Sequence, residues 1–423
     1  MSLFKNTLWN ISGYIIPSLI AIPALGVLAR TLGATQFGIF TLSLAIVGYA
    51  SIFDAGLTRS IVREISVNRY NEVEKKRILS NATLALLMLG VFGGGMLFIF
   101  SDDIVYLLKV PLDLSRDSQL SLQLLSISLP IFLLNQAWLA ALEGVENFRL
   151  VNIVKSINSS LIAGLPAIFT LFNDALYYAV AGLVVSRVIS LIVTYAASKD
   201  YICYSRCGYH HATMIRLLKY GGWITVSNII SPLMSYFDRF ILSNIMGANH
   251  VAHYTAPSEV IQRLSIIPNA LSRAVFPKLS LFKNNLEQRK QKVLAYILMA
   301  AGILPFVLLG GLFSNEILTT WMGGEYAGIP SDILRILLLG FFFNAMAQIP
   351  FASIQARGYS KITAITHLAE VLPYLAFLYL AISEWGLIGV AVSWSLRVTV
   401  DFLILIIIDF KVKGQSVINS HYN

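Results

Sequence analysis

Apolar runs of about 20 residues, each long enough to cross a bilayer core as a helix, recur twelve times along the chain. In the first half they fall near residues 10–29, 37–57, 80–100, 120–142, 151–172 and 176–198. In the second half they fall near 221–246, 251–277, 293–313, 333–353, 362–383 and 386–409. Charged residues gather between the runs. The eighth run is interrupted by Glu259, Arg263 and Arg273, and it is assigned through its repeat partner, the plainly hydrophobic second run.

That partnership is written in the sequence. Gly33 to Ser66 returns as Gly247 to Ser280, 214 positions later and without a gap. Gly33, Ala34, Thr41, Ser51, Ile52, Leu57, Arg59 and Ser66 recur as Gly247, Ala248, Thr255, Ser265, Ile266, Leu271, Arg273 and Ser280. Lys5 and Trp9 fall on Lys219 and Trp223 at the same offset, while Gln136 falls on Gln348 and Arg187 on Arg397 at slightly shorter ones. A period of this size marks a duplicated unit. Six spans per copy is an even number, so both copies keep one orientation and are expected to be related by an axis along the membrane normal. The expected fold is therefore an all-α integral membrane protein: twelve transmembrane helices in two six-helix lobes, 1–205 and 206–423, around a central cleft.

Composition agrees. Hydrophobic residues make up 57% and charged residues 13%, against about 25% charged in a soluble domain. The net charge of +9 is explained by where it sits. One set of alternate loops holds 21 Lys and Arg residues, among them Lys5, Arg59, Arg63, Lys75, Arg149, Lys199, Arg216, Lys292, Arg357 and Lys411. The other set holds only Arg30, Lys109 and Arg116 and collects acids such as Asp102, Asp103, Glu316 and Asp332. Retention of positive charge on the cytoplasmic side puts both termini in the cytoplasm and leaves no call for nucleic acid. The first run is read as a retained span, being too long for a signal-peptide core.

Seven basic residues remain inside the spans: Lys155, Arg187, Arg239, Arg263, Arg273, Arg335 and Arg397. Acids at comparable depth are Asp54, Asp238, Glu259, Glu370 and Asp401. A charge at mid-span costs about 2.5–3.5 kcal/mol on insertion scales, so such residues face a cavity or a partner. Glu259 and Arg263 stand at i and i+4 with the acid first, the favourable order for an intrahelical pair, and Arg397 and Asp401 share that spacing in reverse. Both pairs can be purely structural. Arg187 and Lys155 have no acid within a turn on their own helices and are the stronger substrate candidates. Asp238 and Arg239 point about 100° apart, so one of them is expected to face the cleft. Gln136 and Gln348 can bond a sugar hydroxyl or bridge helices, and Gly90 with Gly94 reads as close helix packing.

Cys203, Cys207, His210 and His211 match no standard zinc spacing, two cysteines make no disulfide framework, and no cofactor is expected. The chain has no nucleotide-binding loop of its own, so any transport draws on an ion gradient, the membrane potential or the substrate's own gradient.

Three stretches carry a family resemblance: Lys5-Asn6-Thr7-Leu8-Trp9-Asn10, Leu28-Ala29-Arg30-Thr31-Leu32-Gly33-Ala34-Thr35-Gln36-Phe37-Gly38, and Asp54-Ala55-Gly56-Leu57 followed by Arg59. They resemble bacterial polysaccharide-export flippases, and more narrowly O-antigen flippases of the multidrug/oligosaccharidyl-lipid/polysaccharide exporter superfamily. The resemblance implies a V-shaped pair of lobes in the bacterial inner membrane, taking part in lipopolysaccharide biosynthesis. It implies movement of an undecaprenyl-diphosphate-linked oligosaccharide from the cytoplasmic to the periplasmic leaflet by alternating access, among membrane lipids that keep the prenyl tail. A polysaccharide polymerase and a chain-length regulator are the partners it implies. On this reading Arg30, Lys155, Arg187, Arg239, Arg263 and Arg397 supply cations for the diphosphate or acidic sugar, with Gln136 and Gln348 beside them. Asp54, Asp238, Glu259 and Glu370 bind a coupling H⁺ or Na⁺, or hold the arginines. Twelve spans, against fourteen in the peptidoglycan-precursor flippases of that superfamily, set this chain apart from that substrate.

Two other readings differ in class. An ion-coupled multidrug or cation antiporter shares the fold but calls for a cleft of net acid, whereas basic residues in the spans outnumber acids, seven to five. A membrane glycosyl polymerase, an enzyme, calls for a large external loop with paired catalytic groups, and the outer loops are short. The expectation is therefore a transporter, not an enzyme.

Overall fold

The computed structural model describes residues 3–202, 209–272, 285–357 and 359–411. Arg273, Cys203, Cys207 and the end of the eighth expected span lie outside the described residues. Nearly everything described is helix: α1 Leu3–Tyr49, α2 Leu57–Val67, α3 Glu72–Ile99, α4 Ser101–Leu107, α5 Leu112–Ser126, α6 Ser128–Gly144, α7 Phe148–Thr170, α8 Leu176–Ile202, α9 His211–Met246, α10 Val251–Leu264, α11 Asn285–Leu312, α12 Ser314–Met322, α13 Ile329–Ala356 and α14 Ser360–Lys411.

Eight helical stretches among the described residues are long and apolar enough to cross a membrane. The two longest far exceed one crossing. The stretch Ile16–Asp54 has 39 residues and Lys361–Lys411 has 51, which at 1.5 Å per residue is about 58 and 76 Å, against roughly 30 Å of hydrocarbon. Each is divided by a glycine whose backbone an L-residue resists, Gly33 (φ 67°, ψ 169°) and Gly386 (φ 57°, ψ −133°). Past Gly386 the chain doubles back, so closely that a methyl group on Gly389 would run into the carbonyl of Ala381.

The chain divides into two compact units, Met1–Ala252 and His253–Asn423. In the first, α7 packs on α1 and α8, and α6 on α3 and α8. Small residues let the helices close up: a Cβ on Gly90 would sit 2.5 Å from Pro130 Cα and one on Gly94 2.6 Å from the Ser126 carbonyl, the close approach that drives helix association where lipid offers no hydrophobic push. Outward faces are apolar; Leu87, Met88, Val91 and Phe92 of α3 are all exposed, as lipid rather than water requires. The short helix α2 differs. Leu57, Ile61 and Ile65, at i, i+4 and i+8, are buried against Ile78, Leu79, Leu133 and Leu217, an amphipathic pattern suited to lying at the end of the bundle. Arg216 fixes that end by reaching Glu64 (2.7 Å) and Glu74 (2.5 Å), and Ser60 Oγ donates to the Leu217 carbonyl (2.9 Å). At the opposite end Ser243 Oγ donates to the Leu108 carbonyl and Leu176 N–H to Gln36 Oε1. In the second unit α13 packs on α14 and α11, and Lys292 (2.7 Å) and Arg357 (3.2 Å) both hold the Asp409 carboxylate.

Candidate functional site

Arg187 lies inside the first unit because of its register on α8. Val180, Leu183, Ser190 and Thr194 are all buried, and with Arg187 they occupy positions spaced three and four apart, one face of the helix. That face meets α6, where the guanidinium lies over the Phe132 ring, 4.6 Å from its centroid. Arg187 makes no ion pair among the described residues, and its Nε has no hydrogen-bond partner. A cation–π contact recovers about 0.5–2 kcal/mol, less than a mid-span charge costs, so the site is suited to an anion. Polar atoms of the same interior are also unspent: Ser190 Oγ and Trp138 Nε1 lack partners, and Asn158 donates to Thr194 Oγ1 (3.1 Å) while its own oxygen accepts nothing.

The other expected site residues divide. Lys155 is exposed and paired with Glu143 of α6. Arg30 is exposed on α1, and Gln136 and Gln348 are half-buried on α6 and α13. Arg239 is buried on α9 with its guanidinium 5.7 Å from the Tyr236 ring centre, in an aromatic cluster where Tyr49 meets Tyr236 and Phe240. Asp238, beside it, accepts the Arg239 N–H (2.8 Å). Asp54 caps α2, accepting both the N–H and the hydroxyl of Thr58. Arg335 is exposed and paired with Asp332 (2.7 Å).

In the second unit Glu259 and Arg263 form the expected i, i+4 pair (3.1 Å). Arg397 and Asp401 do not pair. Arg397 lies over the ring of Tyr374 (5.2 Å) with Nε unpartnered, and Asp401 turns to His367, 3.4 Å from Nε2. The imidazole stacks on Phe351 of α13, ring centres 5.5 Å apart and planes 3° from parallel. Glu370 lies within hydrogen-bonding reach of Asp401, yet neither Glu370 oxygen, nor Asp401 Oδ1, finds a hydrogen-bond donor. Four ionisable groups from the two arms of α14 thus share one half-buried space.

His367, Tyr374, Phe132 and Glu143 were not singled out by sequence. A signal for the first two existed: His367, Glu370 and Tyr374 fall at i, i+3 and i+7, one helix face, in an otherwise apolar run. Glu143 gave none, because its pairing with Lys155 joins two helices, α6 and α7. Among the described residues no group of His, Cys, Asp and Glu is arranged to hold a metal.

A family described as "Polysaccharide biosynthesis protein" matches residues 3–283. A Shigella flexneri protein named for O-antigen transport is 51% identical over 405 residues, covering 96% of this chain and 97% of that protein. The "Lipopolysaccharide biosynthesis protein WzxC" of Escherichia coli (strain K12) is 26% identical, covering 80% and 68%. Among solved structures, the lipid II flippase MurJ in an inward closed conformation aligns with TM-score 0.77 over 97% of this chain and 88% of that one, at 14% identity. An inward-facing multidrug resistance MATE family transporter aligns with TM-score 0.73 over 96% and 97%, at 15% identity. These last two bear on the fold alone.

Proposed function

The chain belongs to the polysaccharide biosynthesis protein family, and on that premise we propose that it is a flippase for a lipid-linked O-antigen-like oligosaccharide. It carries an undecaprenyl-diphosphate-linked repeat unit from the cytoplasmic to the periplasmic leaflet of the bacterial inner membrane, with both termini in the cytoplasm. Twelve spans in two six-helix lobes, 1–205 and 206–423, belong to the proposal. The divided stretches at Gly33 and Gly386 support that count, each supplying two crossings. The seventh span, α9, opens the second lobe by sequence while packing in the first compact unit.

The observation that carries the reading is Arg187, a guanidinium facing inward at mid-span on an aromatic ring with no carboxylate among the described residues to neutralise it. A diphosphate offers the charge it lacks, and Ser190 and Trp138 offer hydrogen bonds to sugar hydroxyls. An isoprenoid tail needs no polar site and stays in lipid. Arg30 and Arg239 are the further cations proposed in the first unit, with Gln136 as a sugar contact, whereas Lys155 is held by Glu143. Among the acids, Asp54 caps α2 and Glu259 pairs with Arg263; Asp238 and Glu370 are the acids proposed for coupling.

The test is deletion of the chain in its host with complementation by wild type or Arg187→Ala. Loss of surface polysaccharide with lipid-linked repeat units accumulating on the cytoplasmic face, restored by wild type and not by Arg187→Ala, is expected. Normal polysaccharide in the deletion strain, with new sensitivity to cationic drugs, overturns the flippase reading in favour of the antiporter.

A further inference from the structure

His367 and Glu370 sit three residues apart on the first arm of α14, and Arg397 and Asp401 four apart on the second. The reversal at Gly386 brings the arms face to face, so that His367 meets Asp401 (3.4 Å) and Glu370 meets it from one turn further on. Two carboxyl groups within reach of each other, with both Glu370 oxygens covered and without a donor and Asp401 Oδ1 offered only the long contact from His367, cannot both stay ionised cheaply. They bond to each other only when a proton lies between them.

The surrounding charges count to one. Arg397 is held off the carboxylates on the Tyr374 ring, and from α13 the neighbour is the uncharged ring of Phe351. The ion pairs on the packed helices lie elsewhere. Lys292 and Arg357 close on Asp409, about two turns beyond Asp401, and Asp332 with Arg335 close on each other at the far end of α13. With Arg397 charged, His367 neutral and both acids ionised the cluster carries one net negative charge, which a single proton cancels.

We propose that Glu370 and Asp401, with His367 as positioning residue on Asp401, form a one-proton binding site in the second unit, and that its loading and release is the coupling step of transport. The proton passes from water to a Glu370 oxygen shared with Asp401 and leaves as a hydronium ion. No other reactant is needed. The coupling half of the proposal rests on the flippase reading; the proton site itself stands without it.

The test pairs a measurement that needs no transport with one that does. Purified full-length protein in lipid nanodiscs is titrated by infrared difference spectroscopy, following the carbonyl stretch of protonated carboxyl groups. Wild type is expected to show such a band that disappears as pH rises, Glu370→Gln and Asp401→Asn to lack it, and His367→Gln to keep it with a displaced midpoint. Export in the deletion strain is then expected to be lost with Glu370→Gln, which fixes the protonated form, and to be retained with Glu384→Gln, a carboxylate on the same helix outside the cluster. Identical titrations of wild type and Glu370→Gln overturn the site whatever the strains do. A band lost in Glu370→Gln with export unchanged overturns the coupling. A wild-type chain that titrates as expected yet fails to restore surface polysaccharide leaves the site standing and sinks the flippase reading instead.

Discussion

Gly33 and Gly247, equivalent positions in the sequence repeat, hold nearly the same backbone: φ 67°, ψ 169° at the first and φ 99°, ψ 154° at the second. Each ends one helix and starts the next in a conformation open essentially to glycine alone, costing another residue about 1–3 kcal/mol. Gly33→Ala, with open space around the new methyl, is expected to lose about that much. Gly247→Ala is expected to lose more, since its Cβ would meet Asn249 Oδ1 at 2.7 Å. Thermal unfolding of the detergent-solubilised variants measures this, with Gly95→Ala as the unstrained control. An unchanged midpoint for Gly33→Ala would refute the strain argument.

Gly56 and Gly221 touch through their backbones, and a side chain on Gly56 would enter the Gly221 carbonyl. Gly56 also has φ 68°. Gly56→Ala is therefore expected to abolish accumulation of folded protein in the membrane, while Gly222→Ala, one residue away from the contact and facing open space, is expected to accumulate normally. Immunoblots of membrane fractions decide between them.

Asp409 pairs with both Lys292 and Arg357, and all three side chains are at least 85% buried, at 11, 15 and 12% exposure. Asp409→Asn leaves two covered cations facing each other, a loss of about 3–5 kcal/mol. Adding Lys292→Met is expected to recover part of the loss in a thermal-shift measurement. If the double variant is no more stable than the single one, the repulsion argument fails.

Arg187 and Lys155 separate on partnership. Lys155 is about half exposed and paired, an arrangement worth about 0–1 kcal/mol, so Lys155→Ala is expected to leave export near wild type. Arg187→Ala is expected to lower it more than tenfold, tenfold being about 1.4 kcal/mol of transition-state stabilisation. Arg187→Lys keeps the charge, loses the planar fork that grips a phosphate in two places, and is expected to fall between. Equal export by Arg187→Ala and Lys155→Ala would remove the distinction.

The membrane helices were legible because hydropathy reports burial from water, which the bilayer supplies whatever the tertiary packing. The break at Gly33 was legible as the gap between the apolar runs 10–29 and 37–57. The Glu259–Arg263 pair was legible because a single helix fixes its spacing. The same rule misled at Arg397 and Asp401, where tertiary neighbours outbid the local partner: an aromatic ring took the arginine and a histidine from the other arm took the acid. Lys155, without an acid on its own helix, found Glu143 on the next, and Asp54 went to a helix end. Such choices depend on which faces meet, and a one-dimensional pattern does not hold that information.

The knot at Asp409 also divides the second unit mechanically. It gathers α11, α13 and the end of α14 at one side, whereas the positive-φ glycines of the unit, Gly323, Gly328 and Gly386, all fall at the opposite side. The helices are thus tied by covered ion pairs at one side and by neutral hydrogen bonds around glycine turns at the other. Whatever cycle the protein runs, the ion-paired side travels as a rigid plate, and amide exchange there should be the slowest in the unit while the glycine side breathes.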